Sequence, residues 1–239
     1  MVSIAIPVYN EQENIREVYY QTTIVLSSLN ILYEIIFIDD GSKDKTYKIL
    51  KEIQVQDRHV KIIKFTKNYG QLYAFLAGFE FARGEIIITM DGDSQNASPD
   101  IPKFLKKINE GFDFVNGWRH NRNDSVVRKF ISYIANRLIR IRTGVYLHDY
   151  GCAFIAVRRQ IIERLKDYGR DARFIKPLIA RLATSVTEVK VRHYLRKSGV
   201  SKYSIFKIIK LGLDFLINFS TESKDKDKLP YVIEEVIGD

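Results

Sequence analysis

The sequence has a single cysteine, Cys152, among its 239 residues. An internal disulfide framework is therefore excluded, and the chain fits a reducing compartment. No apolar run reaches the length of a membrane-spanning helix, because Lys, Asp or Glu interrupts every long one. The apolar segment Val2–Val8 begins directly at the N-terminus with no basic leader, so we expect no secretory signal.

Positive charge is abundant but unevenly spread. The net charge is +9, and residues 117–145 hold seven Arg or Lys against one acid. The tail 220–239, in contrast, holds three Lys against six acids. A strongly basic body favours a polyanion, which could be nucleic acid, a phosphorylated ligand or an anionic membrane. Because no helix-turn-helix, RRM or zinc-finger pattern accompanies the charge, we expect no nucleic-acid partner.

Short apolar runs alternate with segments of helical period along the chain. Between the first two runs, for example, Ile15, Val18, Thr22 and Leu26 recur at helical spacing. This alternation is typical of βαβ units and predicts an α/β fold whose mostly parallel sheet is covered by helices on both faces. The predicted strands are Val2–Val8, Glu34–Asp39, Val60–Phe65, Glu85–Met90, Phe112–Asn116, Cys152–Val157 and Val186–Val191.

Polar clusters follow each of the first four predicted strands. In open α/β sheets, ligands collect at the carboxyl ends of the strands. Each cluster alone is also compatible with ordinary turn chemistry, but four at successive strand ends favour one shared site. The clusters are Pro7-Val8-Tyr9-Asn10-Glu11, Asp39-Asp40-Gly41-Ser42, Asn68-Tyr69-Gly70-Gln71 and Asp91-Gly92-Asp93.

Asp91-Gly92-Asp93 is the most informative of these clusters. Two carboxylates one residue apart, where an apolar strand meets a loop, offer the hard oxygen ligands that Mg²⁺ and Mn²⁺ prefer. Mg²⁺ usually keeps coordination positions for substrate phosphates. The alternative interpretation is a solvated Asp-Gly turn.

The first half of the chain resembles the family 2 glycosyltransferases, which have a GT-A (Rossmann-like) fold. The resemblance covers roughly residues 1–120 and rests on the runs IPVYNEQENI, IDDGSKDKT, KNYGQLYAFLAGFEFARGE and DGDSQNASPD. Within that family, the remainder resembles the polyprenyl-phosphate glycosyltransferases, the group of dolichol-phosphate mannose synthase and the undecaprenyl-phosphate sugar transferases. Three segments carry this second resemblance: GWRHNRNDSVVRKFISYIAN, HDYGCAFIAVRR and RKSGVSKYSIFKIIKLGLDFLINFS.

The resemblance implies metal-dependent, inverting transfer of a hexose-type sugar from a GDP- or UDP-linked donor to dolichyl or undecaprenyl phosphate. It implies that Mg²⁺ or Mn²⁺ binds to Asp91, Asp93 and Gln95, with Asp93 among the catalytic residues. The metal would act as a Lewis acid that neutralises the leaving diphosphate. Residues implied to hold the nucleotide sugar are Pro7, Tyr9, Glu11, Asp40, Asn68, Gly70, Gln71, Asp91 and Gly92.

Two of these assignments have structural alternatives. The Asp39–Ser42 cluster also suits a capped helix start. The glycine of the third cluster, Gly70, also suits simple packing of a helix against its neighbours.

The basic segment is implied to bind the lipid phosphate. A helix over residues 125–142 would place Arg128, Ser132 and Asn136 on one stripe, each one turn from the next. A guanidinium one turn from a hydroxyl suits a phosphate monoester, whereas an ordinary solvated basic face is the alternative. The phosphate ligands that the resemblance implies are Arg119, Arg128, Ser132 and Arg196.

Asp149 matches the catalytic base of the family. A lipid monophosphate has its second pKa near 6 and is largely dianionic at pH 7, so the nucleophile hardly needs a base. Orienting an acceptor-binding arginine or the sugar is the alternative role, and a plain carboxylate at the entry to a strand is a third. We interpret His148 as a local hydrogen-bonding residue, and Cys152, within a predicted strand, as a packed side chain rather than a nucleophile.

We divide the chain into a GT-A domain at 1–204, an amphipathic interfacial helix at 205–219 and a charged tail at 220–239. The helix has Lys, Asp and Asn on one face and Ile, Leu and Phe over the rest, which suits a membrane interface and equally suits packing on the domain. We expect a peripheral enzyme on the cytoplasmic face of the membrane, held by this helix or by a membrane-anchoring partner protein. Truncation before membrane-spanning helices is the alternative.

Other functions fit parts of the sequence. A family 2 transferase acting on a glycan or polysaccharide is the first, although the Gln-x-x-Arg-Trp motif of processive members is missing and the single tryptophan, Trp118, precedes its arginine. A nucleotidyltransferase would have a glycine-rich, basic signature where this chain has Tyr9-Asn10-Glu11. A non-catalytic membrane-surface scaffold would bind vesicles without any transfer.

Overall fold

The structure of the chain, a computed structural model, describes residues 1–94, 97–120, 126–165, 175–192 and 231–238, with the backbone alone for 126–131. The strands within these ranges are β1 Val2–Val8, β2 Tyr33–Asp39, β3 Val60–Phe65, β4 Ile86–Thr89, β5 Phe114–Trp118, β6 Ile155–Arg158, β7 Val186–Lys190 and β8 Ile233–Ile237. They form one sheet in the order β7-β5-β6-β4-β1-β2-β3-β8.

The middle of the sheet is parallel. β1 pairs in parallel with β2 and β4, and β2 pairs in parallel with β3. β6 is antiparallel to both β4 and β5, while β7 is parallel to β5. Consequently β1 to β5 and β7 all end at the same edge of the sheet, and the chain enters β6 from that edge. The predicted α/β fold with a mostly parallel sheet is confirmed.

Helices cover both faces of this sheet. The helices are α1 Ile15–Ser28, α2 Thr46–Gln56, α3 Gln71–Phe81, α4 Ile101–Asn109, α5 Val126–Thr143, α6 Arg159–Leu165 and α7 Ile175–Leu182. Side chains of α1, α2 and α4 join Ile35 and Phe37 in one core, whereas side chains of α3, α6 and α7 join Ile36 and Ile38 in the other. Alternate residues of a central strand therefore enter opposite cores, as strand geometry requires.

Two predicted strands start two or more residues earlier than the structure shows. β5 begins at Phe114 because the Asp113 carboxylate accepts hydrogen bonds from backbone N–H groups just before β7 and closes a turn there. β6 begins at Ile155, after a loop in which the Phe154 carbonyl accepts a hydrogen bond from Gly117. The prediction that Cys152 lies within a strand is therefore wrong, since Cys152 belongs to this loop.

β8 is a strand that the sequence analysis missed, because Ile233–Ile237 falls within the segment assigned to the charged tail. It pairs antiparallel with the edge of β3, and Lys64 Nζ donates to Glu234 Oε1 at 2.8 Å. Just before it, Tyr231 is 3% exposed and its ring stacks on Phe65 with the centroids 4.9 Å apart. The glutamates indicated a solvated tail, whereas an edge strand accommodates charged side chains on its exposed positions.

The predicted interfacial helix at 205–219 lies outside the described residues, so the division of the chain at residue 204 stays a prediction. Of the helices that are described, none is long and apolar enough to cross a membrane.

Candidate active site

Four loops meet at the carboxyl edge of the parallel strands. They follow β1, β2, β3 and β4, which are neighbours in the order β4-β1-β2-β3. These loops contain the polar clusters that the sequence predicts for a nucleotide and a metal. Direct hydrogen bonds join the first loop to the second, the second to the third and the third to the fourth. The predicted donor-side residues in the described ranges therefore share one site.

The loop after β1 is held by the loop after β2. Asn10 N–H donates to Ser42 Oγ at 3.0 Å, and Glu11 N–H donates to Thr46 Oγ1 at 2.8 Å. The backbone of Asn10 is left-handed, with φ 53°, a conformation that asparagine tolerates better than most residues. These bonds fix the backbone that carries the predicted nucleotide-binding residues Pro7, Tyr9 and Glu11.

Asp40 determines the shape of the third loop. It is 3% exposed, and its two carboxylate oxygens accept hydrogen bonds from the N–H groups of Tyr69 at 2.7 Å and Gly70 at 2.9 Å. Gly70 has φ 107° and no atom within 4 Å of the position that a Cβ would take, so the backbone conformation, not helix packing, requires this glycine. Asn68 is exposed on the same loop. Direct contact of these residues with a nucleotide stays a prediction.

Asp39 is fully buried at the end of β2, and the sequence analysis did not select it. Its Oδ1 accepts a hydrogen bond from Ser42 N–H at 3.0 Å, whereas Oδ2 has no hydrogen-bond partner among the described residues. Burial raises the pKa of the Asp39 carboxyl above its ordinary value. A buried acceptor without a donor is costly, so this oxygen is a candidate ligand contact. The pair of adjacent aspartates at the end of β2 indicated a possible site in the sequence. It does not show which of the two binds only backbone groups and which faces a ligand.

The Asp91-Gly92-Asp93 loop crosses the end of β1. A Cβ on Gly92 would lie 2.6 Å from Val8 Cγ1, so only glycine lets the loop lie this close to the strand. Gln71 Nε2, at the start of α3, donates to Asp91 Oδ1 at 2.5 Å. Asp93 is 7% exposed. The Asp91 carboxylate is therefore held by Gln71, and the loop that carries both carboxylates lies closely against β1.

The two aspartates fit a divalent cation that takes its remaining ligands from a substrate. Both offer hard oxygens at one edge of the sheet, and Ser94 Oγ next to them is buried without a partner among the described residues. Within the described ranges, no group of three or more His, Cys, Asp or Glu could enclose a metal by itself. Gln95, the third predicted ligand, lies outside those ranges.

The predicted acceptor arginine and the predicted base form an ion pair with each other. Arg119 Nε donates to Asp149 Oδ2 at 2.7 Å and Nη2 donates to Oδ1 at 2.9 Å, a bidentate geometry. Although burial alone would lower the pKa of Arg119, the hydrogen bonds and charge of Asp149 raise it, and the charge of Asp91 contributes to the same effect. Arg119 is therefore charged and electrostatically coupled to the predicted metal site.

This pairing does not favour Asp149 as a base. Its carboxylate is 3% exposed and also accepts a hydrogen bond from Gly151 N–H at 3.1 Å. Hydrogen bonds of this kind stabilise the ionised carboxylate. Protonation would break the pair and leave a buried guanidinium without its partner. The geometry suits the alternative role from the sequence, in which Asp149 orients an acceptor-binding arginine.

The residues on either side of Asp149 have local roles, as interpreted from the sequence. His148 Nδ1 lies 2.6 Å from Glu188 Oε2, and the imidazole stacks on Trp118 with the ring centroids 4.1 Å apart. Cys152 is 1% exposed, and burial raises the pKa of its thiol to about 11. A buried, protonated thiol is a packed side chain rather than a nucleophile.

α5 carries the predicted phosphate stripe to the same edge. Asn136 Nδ2 donates to the His148 carbonyl at 2.8 Å, and Asn136 Oδ1 accepts from Tyr150 N–H at 3.3 Å. This stripe therefore contacts the backbone on both sides of Asp149, and Ser132 lies one turn before Asn136 on it. Outside the described residues lie two further predicted phosphate ligands, the side chain of Arg128 and the whole of Arg196.

A family model described as Glycosyl transferase family 2 matches residues 3–166, which is more than half of the chain. The chain belongs to glycosyltransferase family 2. The match includes all four donor-side loops as well as Arg119 and Asp149, so the carboxyl edge described above is part of the family 2 domain.

Two curated relatives place this family 2 domain more narrowly. The undecaprenyl-phosphate 4-deoxy-4-formamido-L-arabinose transferases of Salmonella choleraesuis (strain SC-B67) and Salmonella paratyphi B are each 42% identical to it over 221 residues. The alignments cover 92% of this chain and 68% of each relative. The resemblance to the polyprenyl-phosphate subgroup is thereby confirmed.

Solved structures establish the GT-A fold of this glycosyltransferase. Glucosyl-3-phosphoglycerate synthase from Mycobacterium tuberculosis, in complex with Mn²⁺, UDP and phosphoglyceric acid, matches with a TM-score of 0.63 and 16% identity, over 90% of this chain and 76% of that one. A fragment of S. aureus TarS in complex with UDP-GlcNAc matches with a TM-score of 0.57 and 16% identity, over 96% and 70%. At such identities the likeness concerns the fold alone.

Lys176 is a second residue of the transferase that the sequence analysis missed. It lies on α7, and its Nζ donates to the carbonyl oxygens of Cys152 at 2.5 Å and Asp149 at 3.3 Å. Burial lowers the pKa of this amine to about 8. The amine therefore holds the loop that presents Asp149 to Arg119. A single lysine on a helix carries no pattern from which this contact could be predicted.

We expect Lys176→Met to remove a pH dependence of stability. The pKa of Lys176 is about 8 in the folded protein against an ordinary value of 10.5, so between these values the unfolded chain binds more protons. The stabilising contribution is complete above pH 10.5 and is lost as the pH falls through about 8.

The wild type should therefore gain about 2 kcal/mol or slightly more of unfolding free energy relative to the variant between about pH 7.5 and about pH 10. Urea denaturation of both proteins at both pH values measures this gain, and contributions from groups that do not interact with Lys176 cancel in the comparison. If the difference in unfolding free energy between wild type and variant is the same at both pH values, the lowered pKa of a buried Lys176 amine is contradicted.

Proposed function

We propose that this family 2 domain transfers a sugar from a nucleoside-diphosphate sugar to a polyprenyl phosphate. The observation that carries the proposal is the position of Arg119, whose guanidinium is held by Asp149 at the end of β5, on the same edge of the sheet as the Asp91-Gly92-Asp93 loop. An acceptor phosphate on Arg119 would lie next to the diphosphate of a donor at Asp91 and Asp93. The name of the Salmonella relatives, which are undecaprenyl-phosphate sugar transferases, agrees with this arrangement.

The nucleotide of the donor would bind over the ends of β1 and β2. Asp39 Oδ2 is a buried acceptor that no described residue supplies with a donor, and the ring N–H of uracil or guanine can supply one. Asp40 would act indirectly, because its oxygens hold the Tyr69–Gly70 backbone against the same site. The donor is thus UDP- or GDP-linked. We expected a hexose-type sugar, whereas the names of the Salmonella relatives specify a derivative of L-arabinose, a pentose.

Asp91 and Asp93 would hold Mg²⁺ or Mn²⁺ together with the donor diphosphate, with Gln95 as the further predicted ligand. When bound, such a cation supplies Lewis-acid neutralisation of the leaving nucleoside diphosphate. The contribution of the protein is to fix the ligands, since Gln71 orients Asp91 and Gly92 lets the loop lie against β1.

The acceptor phosphate would be the nucleophile itself. Two of the five N–H donors of Arg119 bond to Asp149, so the same guanidinium has others for a phosphate oxygen. The phosphate is largely dianionic near pH 7 and needs no base, which is consistent with an Asp149 that positions Arg119. Direct displacement at the anomeric carbon inverts its configuration. Arg128, Ser132 and Arg196 are the further proposed phosphate ligands.

A glycan acceptor is the alternative within the family, and the structure favours it less. A neutral glycan would give the charged Arg119 no anion to bind. Its hydroxyl nucleophile would also need a base, a role for which the ion-paired Asp149 is poorly suited. With a lipid acceptor, the enzyme would work at the cytoplasmic face of the membrane, bound peripherally or through an anchoring partner protein.

We expect Asp93→Ala to lower sugar transfer by about 100-fold or more, because the variant loses a ligand of the cation that stabilises the leaving group. Transfer of labelled sugar to undecaprenyl phosphate in detergent, with Mg²⁺ or Mn²⁺, measures the loss. Circular dichroism and thermal unfolding should show an intact fold, and Glu17→Ala, exposed on α1, is the control. Undiminished metal-dependent turnover in Asp93→Ala would contradict the proposal.

We expect Asp149→Asn to raise the KM for the lipid phosphate by about tenfold or more, which corresponds to about 1.4 kcal/mol of lost phosphate binding by a less firmly held Arg119. Because the nucleophile needs no base, kcat at saturating acceptor should change little, and donor binding should be unchanged. Steady-state kinetics over a pH series measures the change in KM for the lipid phosphate separately from the change in kcat. A collapse of kcat with an unchanged acceptor KM would instead assign Asp149 as the base.

A further inference from the structure

Three aromatic rings connect the start of β8 to the loop after β3, which comprises residues 66–70. Tyr231 is 3% exposed, and its ring stacks on that of Phe65, the last residue of β3, at an interplanar angle of 22°. Phe65 in turn meets the ring of Tyr69 edge-on, with the centroids 5.6 Å apart and an interplanar angle of 87°. Stacked and edge-to-face arrangements are the favourable geometries of aromatic pairs. The packed row therefore links Tyr231 to Tyr69, in the loop itself.

The backbone makes a second connection between the same two segments. Thr66 N–H donates to the Val232 carbonyl at 3.1 Å, and Thr66 Oγ1 shares a hydrogen bond of 3.2 Å with Tyr69 Oη. The pairing of β3 with β8 shifts its register between Lys64 and Phe65, immediately before this contact. Because an irregularity of this kind bends a strand, the bond from Thr66 to Val232 fixes the place where the loop leaves the sheet.

Tyr231 also contacts the element that follows the loop. Its Oη donates to Glu80 Oε2 on α3 at 2.8 Å. Since β3 ends just before the loop and α3 begins just after it, one side chain touches the elements on both sides of the loop. The two ends of the loop are thereby held relative to each other.

The loop that these contacts hold is part of the donor side of the candidate site. Tyr69 N–H donates to Asp40 Oδ1 at 2.7 Å, and Gly70 N–H donates to Asp40 Oδ2 at 2.9 Å. The next residue, Gln71, donates to Asp91. A displacement of the Tyr69 ring would therefore move the backbone that Asp40 holds and the amide group that orients a predicted metal ligand.

We propose that Tyr231 is a positioning residue for the donor site, because its stack on Phe65 holds Tyr69 in the conformation of the loop that binds the nucleotide. The inference rests on the proposed function, which assigns this loop to the nucleotide of the donor. Tyr231 acts through Phe65 and Tyr69 and does not itself touch the donor. It lies outside residues 3–166, so the match to the family model gives no role to this side chain.

Three variants of the full chain test the inference. Tyr231→Leu removes the ring but keeps an apolar side chain, whereas Tyr231→Phe keeps the ring and removes only the hydroxyl group. The control is Ile237→Ala, at the opposite end of β8 from the loop. Ile237 pairs with Ile62 and packs against the core that contains α1, α2 and α4, so this change weakens the attachment of β8 without touching the aromatic row.

Two measurements report on the loop. Calorimetric titration with UDP and GDP in the presence of Mn²⁺ gives the nucleotide affinity. Hydrogen exchange followed by mass spectrometry gives the rate at which the Tyr69 and Gly70 amides open, and it needs no ligand. Circular dichroism and thermal unfolding confirm that each variant is folded at the temperature of both measurements.

We expect Tyr231→Leu to bind the nucleotide about tenfold more weakly, the result for a loop that holds its binding conformation about a tenth of the time. Its Tyr69 and Gly70 amides should exchange about tenfold faster or more. Tyr231→Phe and Ile237→Ala should stay within about threefold of the wild type in both measurements. A residue that only stabilised the core would lower the unfolding temperature, as Ile237→Ala does, without changing the nucleotide affinity of the folded protein.

The two measurements separate this inference from the proposed function. Wild-type exchange of the loop amides in Tyr231→Leu overturns the inference, as does wild-type nucleotide affinity in that variant, and either result leaves the proposed function in place. Equal losses in Ile237→Ala also overturn it. Faster exchange in Tyr231→Leu, with neither nucleotide bound even by the wild type, supports the positioning of the loop by Tyr231 and rejects the nucleotide donor of the proposed function.

Discussion

The bidentate ion pair of Arg119 and Asp149 connects the two halves of the candidate site. Arg119 follows β5 and Asp149 precedes β6, so the pair joins two antiparallel strands at the edge where β4 presents its aspartates. A buried pair of this kind persists only if its remaining polar atoms are satisfied, which Gly151 provides for the carboxylate. Lys176 holds the same loop from α7. A positive charge is thereby fixed beside acidic side chains.

The carboxyl edge of the sheet carries acidic side chains on one side and the Arg119 guanidinium on the other, so each side suits a different substrate. On the donor side, Asp91 and Asp93 would repel a nucleoside diphosphate, and a divalent cation between them and the phosphates would remove that repulsion. On the acceptor side, Arg119 would attract a phosphate monoester without metal. Two phosphorylated substrates could then approach each other closely, because each would be neutralised by a different part of the protein.

The fold and the general position of the site follow from patterns that act locally. Apolar runs with helical segments between them predict the βαβ order, and parallel strands bring their carboxyl ends to one edge. Such local patterns do not predict which residues, far apart in the sequence, contact each other in the folded protein. The sequence could not tell that Asp40 bonds to the backbone after β3 while one oxygen of Asp39 has no partner in the described part of the chain, nor that Asp149 pairs with Arg119. β8 was missed because its acidic composition resembles a solvated tail.

Calorimetric titration of the wild-type chain with UDP and GDP, in the presence of Mn²⁺ and again with the metal chelated, tests the central claim most directly. The account predicts that one of the two nucleotides binds with Mn²⁺ and that chelation weakens this binding by about tenfold or more, since Asp91 and Asp93 alone repel the diphosphate. Binding of equal affinity with and without the metal, or binding of neither nucleotide, would contradict it.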